Sequence, residues 1–153
     1  MFFSFSQNPD GFDEMVTEMA ENAVPIIKYN KVNKLTEKGK SIVFLDAREL
    51  KEFKISHIKN AIHVGYDNFD NKTVSSLNKN AIIVIYCSVG YRSGKIGLKL
   101  RKMGFTNVFN LYGGLFEWAN NGNPIYQKDK KTNKVHPYNT KWGKWLKPEL
   151  RSK

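Results

Sequence analysis

A chain of 153 residues holds one domain and can bury a core without disulfide or metal staples. Hydrophobic residues make up 41% and charged residues 25%, an ordinary globular balance, and no run approaches the ~20 apolar residues of a membrane span. The single cysteine excludes an intrachain disulfide and a Cys-rich metal site, while the net charge of +11 keeps nucleic acid, an anionic surface and small anionic substrates open as partners.

Taken in chain order, Met1 to Ser6 has no basic n-region and is too short for a signal peptide as written. The small-x-small pattern Ser4-Phe5-Ser6 nevertheless resembles a cleavage site. The expected compartment is therefore the cytoplasm, or the periplasm if this segment is the remnant of an export signal. Asp13 to Asn22 reads as a short helix or a surface drape. Val24 to Tyr29 reads as an edge strand, because Pro25 is tolerated there and not in a central one. Lys31 to Lys38 gives a short helix stopped by Gly39.

Ile42 to Leu45 is a continuous β-branched and aromatic run, the pattern of a strand buried on both faces. It ends at Asp46-Ala47-Arg48. A helical turn follows from Glu49 to Phe53, and Ala61 to Val64 is a short strand. Ala81 to Tyr86 is the second strong strand, with Cys87 at its carboxyl end. Ser93 to Met103 alternates Ile96, Leu98, Leu100 and Met103 with basic residues, as an amphipathic helix closed by Gly104 does. Val108 to Leu111 is another strand, and Gly113-Gly114 turns into a helix through Phe116, Trp118 and Ala119. Alternating helix and strand periods predict an α/β fold whose mainly parallel sheet carries helices on both faces.

From Lys128 onward lysines and arginines far outnumber Asp129 and Glu149, so much of the excess charge belongs to a basic tail. Such a tail reads as a solvated face or as a surface for an acidic partner. Trp142 and Trp145 are spaced for one helical face, and packing on the domain is the favoured reading over stacking on a partner.

The chemistry concentrates at Cys87-Ser88-Val89-Gly90-Tyr91-Arg92-Ser93, a tight loop between a buried strand and a helix. Ligands of parallel sheets bind at the carboxyl ends of strands. A helix N-terminus offers unpaired N–H groups and positive potential, which favours the thiolate, the nucleophilic form of cysteine. Gly90 allows successive N–H groups to turn inward as an anion nest. Arg92 adds a fixed positive charge for an anionic substrate, and Ser93 is a candidate helix cap. The histidines His57, His63 and His136 show no ligand spacing with Cys87, so no metal site is expected.

A hydrophobic strand followed by Cys87 and, five positions on, Arg92 resembles the active-site loop of rhodanese-family sulfurtransferases. Leu45-Asp46-Ala47-Arg48, Glu52-Phe53, His57-Ile58 and Asn60-Ala61-Ile62 are similar to that family's N-terminal signature. Gly104 to Val108, Leu111 to Gly114 and Trp118 are similar to its C-terminal one. The resemblance covers residues 24–124, leaving 1–23 as an extension and 125–153 as the basic, aromatic-containing tail.

What the resemblance implies is a rhodanese-like α/β fold with a five-stranded, mainly parallel sheet. Cys87 would take the outer sulfur of thiosulfate or another small anionic sulfane donor as a persulfide, then pass it to a thiol, a protein acceptor or cyanide. The loop N–H groups of Ser88, Val89, Gly90, Tyr91, Arg92 and Ser93 would hold the sulfur, and no metal or organic cofactor would be needed. Asp46 and Arg48 would form a supporting ion-pair network, and His57 and His63 would be hydrogen-bonded loop histidines.

A phosphatase of the same fold needs a loop one residue longer, and the sixth position after Cys87 is Ser93. An arsenate reductase lacks its second cysteine here. A catalytically weak binding or regulatory module of this fold remains the alternative from a different class, beside a nucleic-acid or acidic-partner binder that uses the tail.

Overall fold

The computed structural model describes residues 5–19 and 24–153. Five parallel strands form the sheet in the order β1-β5-β4-β2-β3: β1 (Ile26–Ile27), β2 (Ile42–Asp46), β3 (Ile62–His63), β4 (Ile82–Tyr86) and β5 (Asn107–Leu111). The helices are α1 (Phe12–Met19), α2 (Tyr29–Glu37), α3 (Leu50–Ile55), α4 (Tyr91–Lys102), α5 (Gly114–Asn120) and α6 (Thr140–Gly143). The expected helix over Asp13 to Asn22 begins one residue earlier, and its residues 20–22 lie outside the described residues, as do residues 1–4 of the signal-like segment.

β4 is the middle strand, and its side chains alternate between two cores because successive residues of a strand face opposite ways. Val84 and Tyr86 join α1, α2 and α5 on one side. Ile83 and Ile85 join Ile96 and Leu100 of α4 on the other. Fully burying each such aliphatic chain contributes about 1.5–3 kcal/mol, so both faces hold the strand that carries Cys87. Helices on both faces of a five-stranded parallel sheet agree with the expected α/β architecture.

Several local readings change. β1 is at the sheet edge as expected but ends at Ile27, because the Lys28 carbonyl accepts from Lys31 and Val32 and starts α2. The first half of β2 is only half-buried. Its outer neighbour β3 has two residues and pairs only at Leu45 and Asp46, leaving Ile42 to Phe44 with an uncovered side. In α4 Leu98 is exposed, and the buried stripe runs through Ser93, Gly94, Ile96, Gly97 and Leu100.

The C-terminal segment folds onto the domain. β6 (Ile125–Gln127) and β7 (Lys130–Thr132) form an antiparallel hairpin, and His57 and Tyr126 exchange main-chain hydrogen bonds. Val135 and Leu146 are fully buried, and the Trp145 ring meets Phe12 edge-on at 6.2 Å. Asn120 at the end of α5 clamps both ends of the chain. Its amide donates to the Trp145 carbonyl and to Asn8, and its oxygen accepts from the Lys147 N–H. Packing is thus what the tail's tryptophans do, while Lys130, Lys131, Lys141 and Lys144 stay exposed. Among the described residues no helix is long and apolar enough to cross a membrane.

Candidate active site

Cys87 follows β4 directly and is 1% exposed. Its sulfur accepts the Gly90 N–H at 3.1 Å and lies 3.4 Å from the Ser93 hydroxyl. Gly90 occupies φ +122°, a conformation that side chains rarely adopt, and this lets the chain turn from the loop into α4. The Gly90 carbonyl accepts from the Asn110 amide at 3.0 Å, so β5 holds the loop from the other side.

Ser93 is not the helix cap. Helix α4 starts at Tyr91 with Gly90 in the cap position, so Ser93 falls inside the first turn and points down into the sheet. There its hydroxyl donates to Asn110 Oδ1 at 2.6 Å. With one proton to give, Ser93 serves either Asn110 or the sulfur, and Asn110 fixes where the hydroxyl sits.

Arg92 is not a free cation. Its guanidinium binds both oxygens of the fully buried Glu52, at 2.8 and 3.0 Å, and also the Ser88 hydroxyl at 2.9 Å. The paired geometry is the strong, directional form of an Arg–carboxylate contact. Burial pushes the Glu52 carboxyl up, but the hydrogen bonds and charge of Arg92 and the charge of Arg48 prevail, and the group lies below its ordinary range. Burial pulls Arg92 down, yet the Glu52 hydrogen bonds and the nearby charges of Cys87 and Glu52 raise it on balance. Glu52 also accepts the Glu49 N–H at 2.8 Å, closing the capping box at the start of α3. One carboxylate therefore ties α3 to the Cys87 loop.

Asp46 and Arg48 form a second ion pair, at 2.7 Å and with neither side chain exposed. The Arg48 guanidinium also donates to the Ser56 carbonyl at 2.6 Å and lies 5.7 Å from the Tyr86 ring centre. His57 bonds the Ile58 carbonyl through Nδ1 and stacks on Phe53, and His63 bonds the Arg48 carbonyl at 2.7 Å. None of the Asp46, Arg48, His57 and His63 side chains lines the cavity over Cys87.

The N-terminus of α5 holds the other side of the loop. The N–H groups of Leu115 and Phe116 donate to the Cys87 and Ser88 carbonyls at 2.9 and 3.1 Å. A Cβ at Gly114 would stand 2.4 Å from the Ser88 oxygen, so this contact needs glycine.

Above Cys87 lies a cavity of about 250 Å³. Its walls include Ser88, Val89, Tyr91 and Arg92 of the loop, Tyr66 and Asp67 after β3, Glu49, Met19, and Tyr138 and Trp142 of the C-terminal segment. Sequence reasoning placed the loop but missed Glu52, Asn110, Tyr138 and Trp142 as parts of the site. Glu52 stood out only within the N-terminal signature and Trp142 only by its spacing from Trp145, while Asn110 left a signal that went unread, a lone amide inside the apolar run Val108 to Leu111. Among the described residues no cluster of His, Cys, Asp and Glu could hold a metal ion.

The rhodanese-like domain model matches residues 28–121. A Bacillus subtilis (strain 168) protein named as a candidate sulfur carrier, YrkF, is 31% identical over 102 residues, which are 65% of this chain and 55% of that one. A tRNA uridine(34) hydroxylase of Sodalis glossinidius is 29% identical over 146 residues, 92% of this chain and 41% of the relative. The chain thus spans about half the length of these relatives or less. A solved rhodanese-like domain from Anabaena sp. superposes with a TM-score of 0.61 at 26% identity, covering 67% of this chain and 78% of that one.

Proposed function

The chain belongs to the rhodanese-like domain family, and from that premise we propose that it is a sulfur-transfer protein carrying sulfane sulfur as a persulfide on Cys87. The observation that carries the reading is the placement of the sulfur. It lies at the floor of a cavity, at the carboxyl end of the central strand, and accepts the Gly90 N–H. The thiolate attacks the outer sulfur of a sulfane donor. A bond forms between Cys87 Sγ and that sulfur as the donor's own S–S bond breaks, its electron pair leaving with the donor remnant (sulfite, when thiosulfate is the donor). An acceptor thiolate then attacks the terminal sulfur and restores the Cys87 thiolate. Cysteine is itself the covalent carrier, so the cycle calls on no cofactor.

In this scheme Gly90 and Ser93 steady the sulfur, while Arg92 positions the loop through Glu52. A phosphatase reading is disfavoured by the same pair. Phosphoryl transfer depends on positive groups neutralising the charge of the transferred phosphate, and Arg92 is already bound at two points. The exposed lysines of the C-terminal segment suit an acidic acceptor protein, and the relative named for sulfur carriage supports handing the sulfur to a partner.

Incubation with a sulfane donor, removal of excess, and intact mass of the protein and of Cys87→Ser test the reading. A gain of one sulfur atom's mass, lost on reduction and absent from the variant, is expected. No gain from thiosulfate or from an organic donor sinks it, and a binding module without catalysis then takes its place.

A further inference from the structure

The residues over Cys87 do not form the cationic pocket that a sulfur oxyanion would call for. Among the described lining residues the cation is Arg92, and Glu52 neutralises it. Two carboxylates, Glu49 and Asp67, share the wall. Lys95 and Lys141 lie against the rings of Tyr91 and Trp142 at 5.6 and 5.9 Å and are not part of the lining. The rest of the wall is aromatic or apolar: Tyr66, Tyr91, Tyr138, Trp142, Met19 and Val89. Since a water occupies about 30 Å³, the cavity of about 250 Å³ has room for an organic body of several heavy atoms beyond the reacting sulfur.

Two of those aromatics come from outside residues 28–121, and the structure holds them firmly. Tyr138 sits at φ +70°, a strained conformation for a side-chain-bearing residue that persists only where its surroundings enforce it. Its ring lies 5.1 Å from the Arg92 guanidinium. Asn139 caps α6 by accepting the Trp142 N–H at 3.0 Å, and Pro137 packs on Gly143. Buried Val135 and Leu146 anchor this turn on either side.

We propose that Tyr138 and Trp142 form a specificity wall that selects sulfane sulfur carried on an apolar organic body over inorganic thiosulfate. The inference rests on the persulfide-carrier reading of Cys87. With an arenethiosulfonate as donor the balance is simple. Cys87 Sγ bonds to the terminal sulfur, the bond from that sulfur to the sulfonyl group breaks, and the pair leaves with the arenesulfinate. Charge is conserved and no oxidant or reductant is consumed. The aryl group stacks against Tyr138 and Trp142, whereas thiosulfate offers these rings nothing to hold.

The test compares rate constants for sulfur loading of Cys87 from benzenethiosulfonate and from thiosulfate, each divided by that donor's rate with a free small thiol. The unaltered chain is expected to favour the aryl donor about tenfold in this normalised ratio, as a well-made aromatic contact allows. Tyr138→Ala and Trp142→Ala bring the ratio toward one, and Trp142→Leu serves if the alanine variant does not fold. A ratio at or below one in the unaltered protein overturns the proposal, as does an unchanged ratio in folded variants. Loading from neither donor overturns instead the carrier reading beneath it.

Discussion

Gly114→Ala perturbs the close approach of α5 to the Cys87 loop, main chain against main chain. At φ +59° an alanine pays the left-handed penalty of about 1–2 kcal/mol. Its Cβ would also meet the Ser88 oxygen at 2.4 Å, the Ser88 carbonyl carbon at 2.5 Å and the Cys87 oxygen at 2.6 Å. Ordinary contact starts near 3.4 Å, so backbone on one side must move by about 1 Å, since no flexible side-chain end is available to yield. That shift stretches the bonds from Leu115 and Phe116 to the same two carbonyls, each worth about 1 kcal/mol net. The total is about 3–4 kcal/mol, or roughly 10 °C in Tm for a chain of this size. Gly39→Ala is the matched control. It has φ +80° and nothing within 4 Å of the new Cβ, so the left-handed penalty acts alone, at about 1 kcal/mol. Thermal and urea unfolding of both variants, with sulfur loading of Cys87 measured alongside, decide the matter. Equal losses for the two glycines refute the reasoning that α5 braces the loop by close contact.

Three further expectations rest on buried groups. Glu52→Ala leaves Arg92 without its partner and opens the α3 capping box, costing about 3 kcal/mol in urea unfolding at neutral pH; a loss below about 1 kcal/mol contradicts a structural role for the pair. Because the folded fold holds the Glu52 carboxyl below its ordinary 4.5, this stabilisation is complete above that value and fades as pH falls through the lower one. Glu117 behaves in the opposite sense. Burial, only partly countered by the Asn8 hydrogen bond and Lys28, raises its carboxyl to about 7, and its Oε2 is buried with no hydrogen-bond partner among the described residues. The fold thus favours the protonated form, and a penalty grows as pH rises from 4.5 to about 7. Glu117→Gln should therefore raise Tm by a few degrees at about pH 8 and by little at about pH 5; a pH-independent difference refutes this. Leu146→Ala should cost about 2–5 kcal/mol in chemical unfolding, as deletion of a fully buried leucine does, and a neutral result would show that the C-terminal segment is not part of the cooperative fold.

The sequence by itself determined the parts of this protein whose causes are local. Strand and helix periods over Ile42 to Leu45, Ala81 to Tyr86 and Ser93 to Met103 depend on neighbouring residues, as does the glycine that lets the Cys87 loop turn. Those elements, their parallel arrangement and the position of Cys87 at the carboxyl end of the strand Ala81 to Tyr86 were legible for that reason; that this strand is the central one was not. Tertiary structure decided what depends on residues far apart in the chain. Glu52 meets Arg92 across 40 positions, and that encounter gives the cation in the cavity wall a buried carboxylate partner. Ser93 finds Asn110 on β5 and loses the role of cap. Tyr138 and Trp142 reach the cavity because Val135 and Leu146 are buried, a packing outcome that a lysine-rich stretch conceals. Local pattern sets which segments are helix or strand, but the partner of a charge, and the free energy of burying it, exist only once the chain has closed on itself.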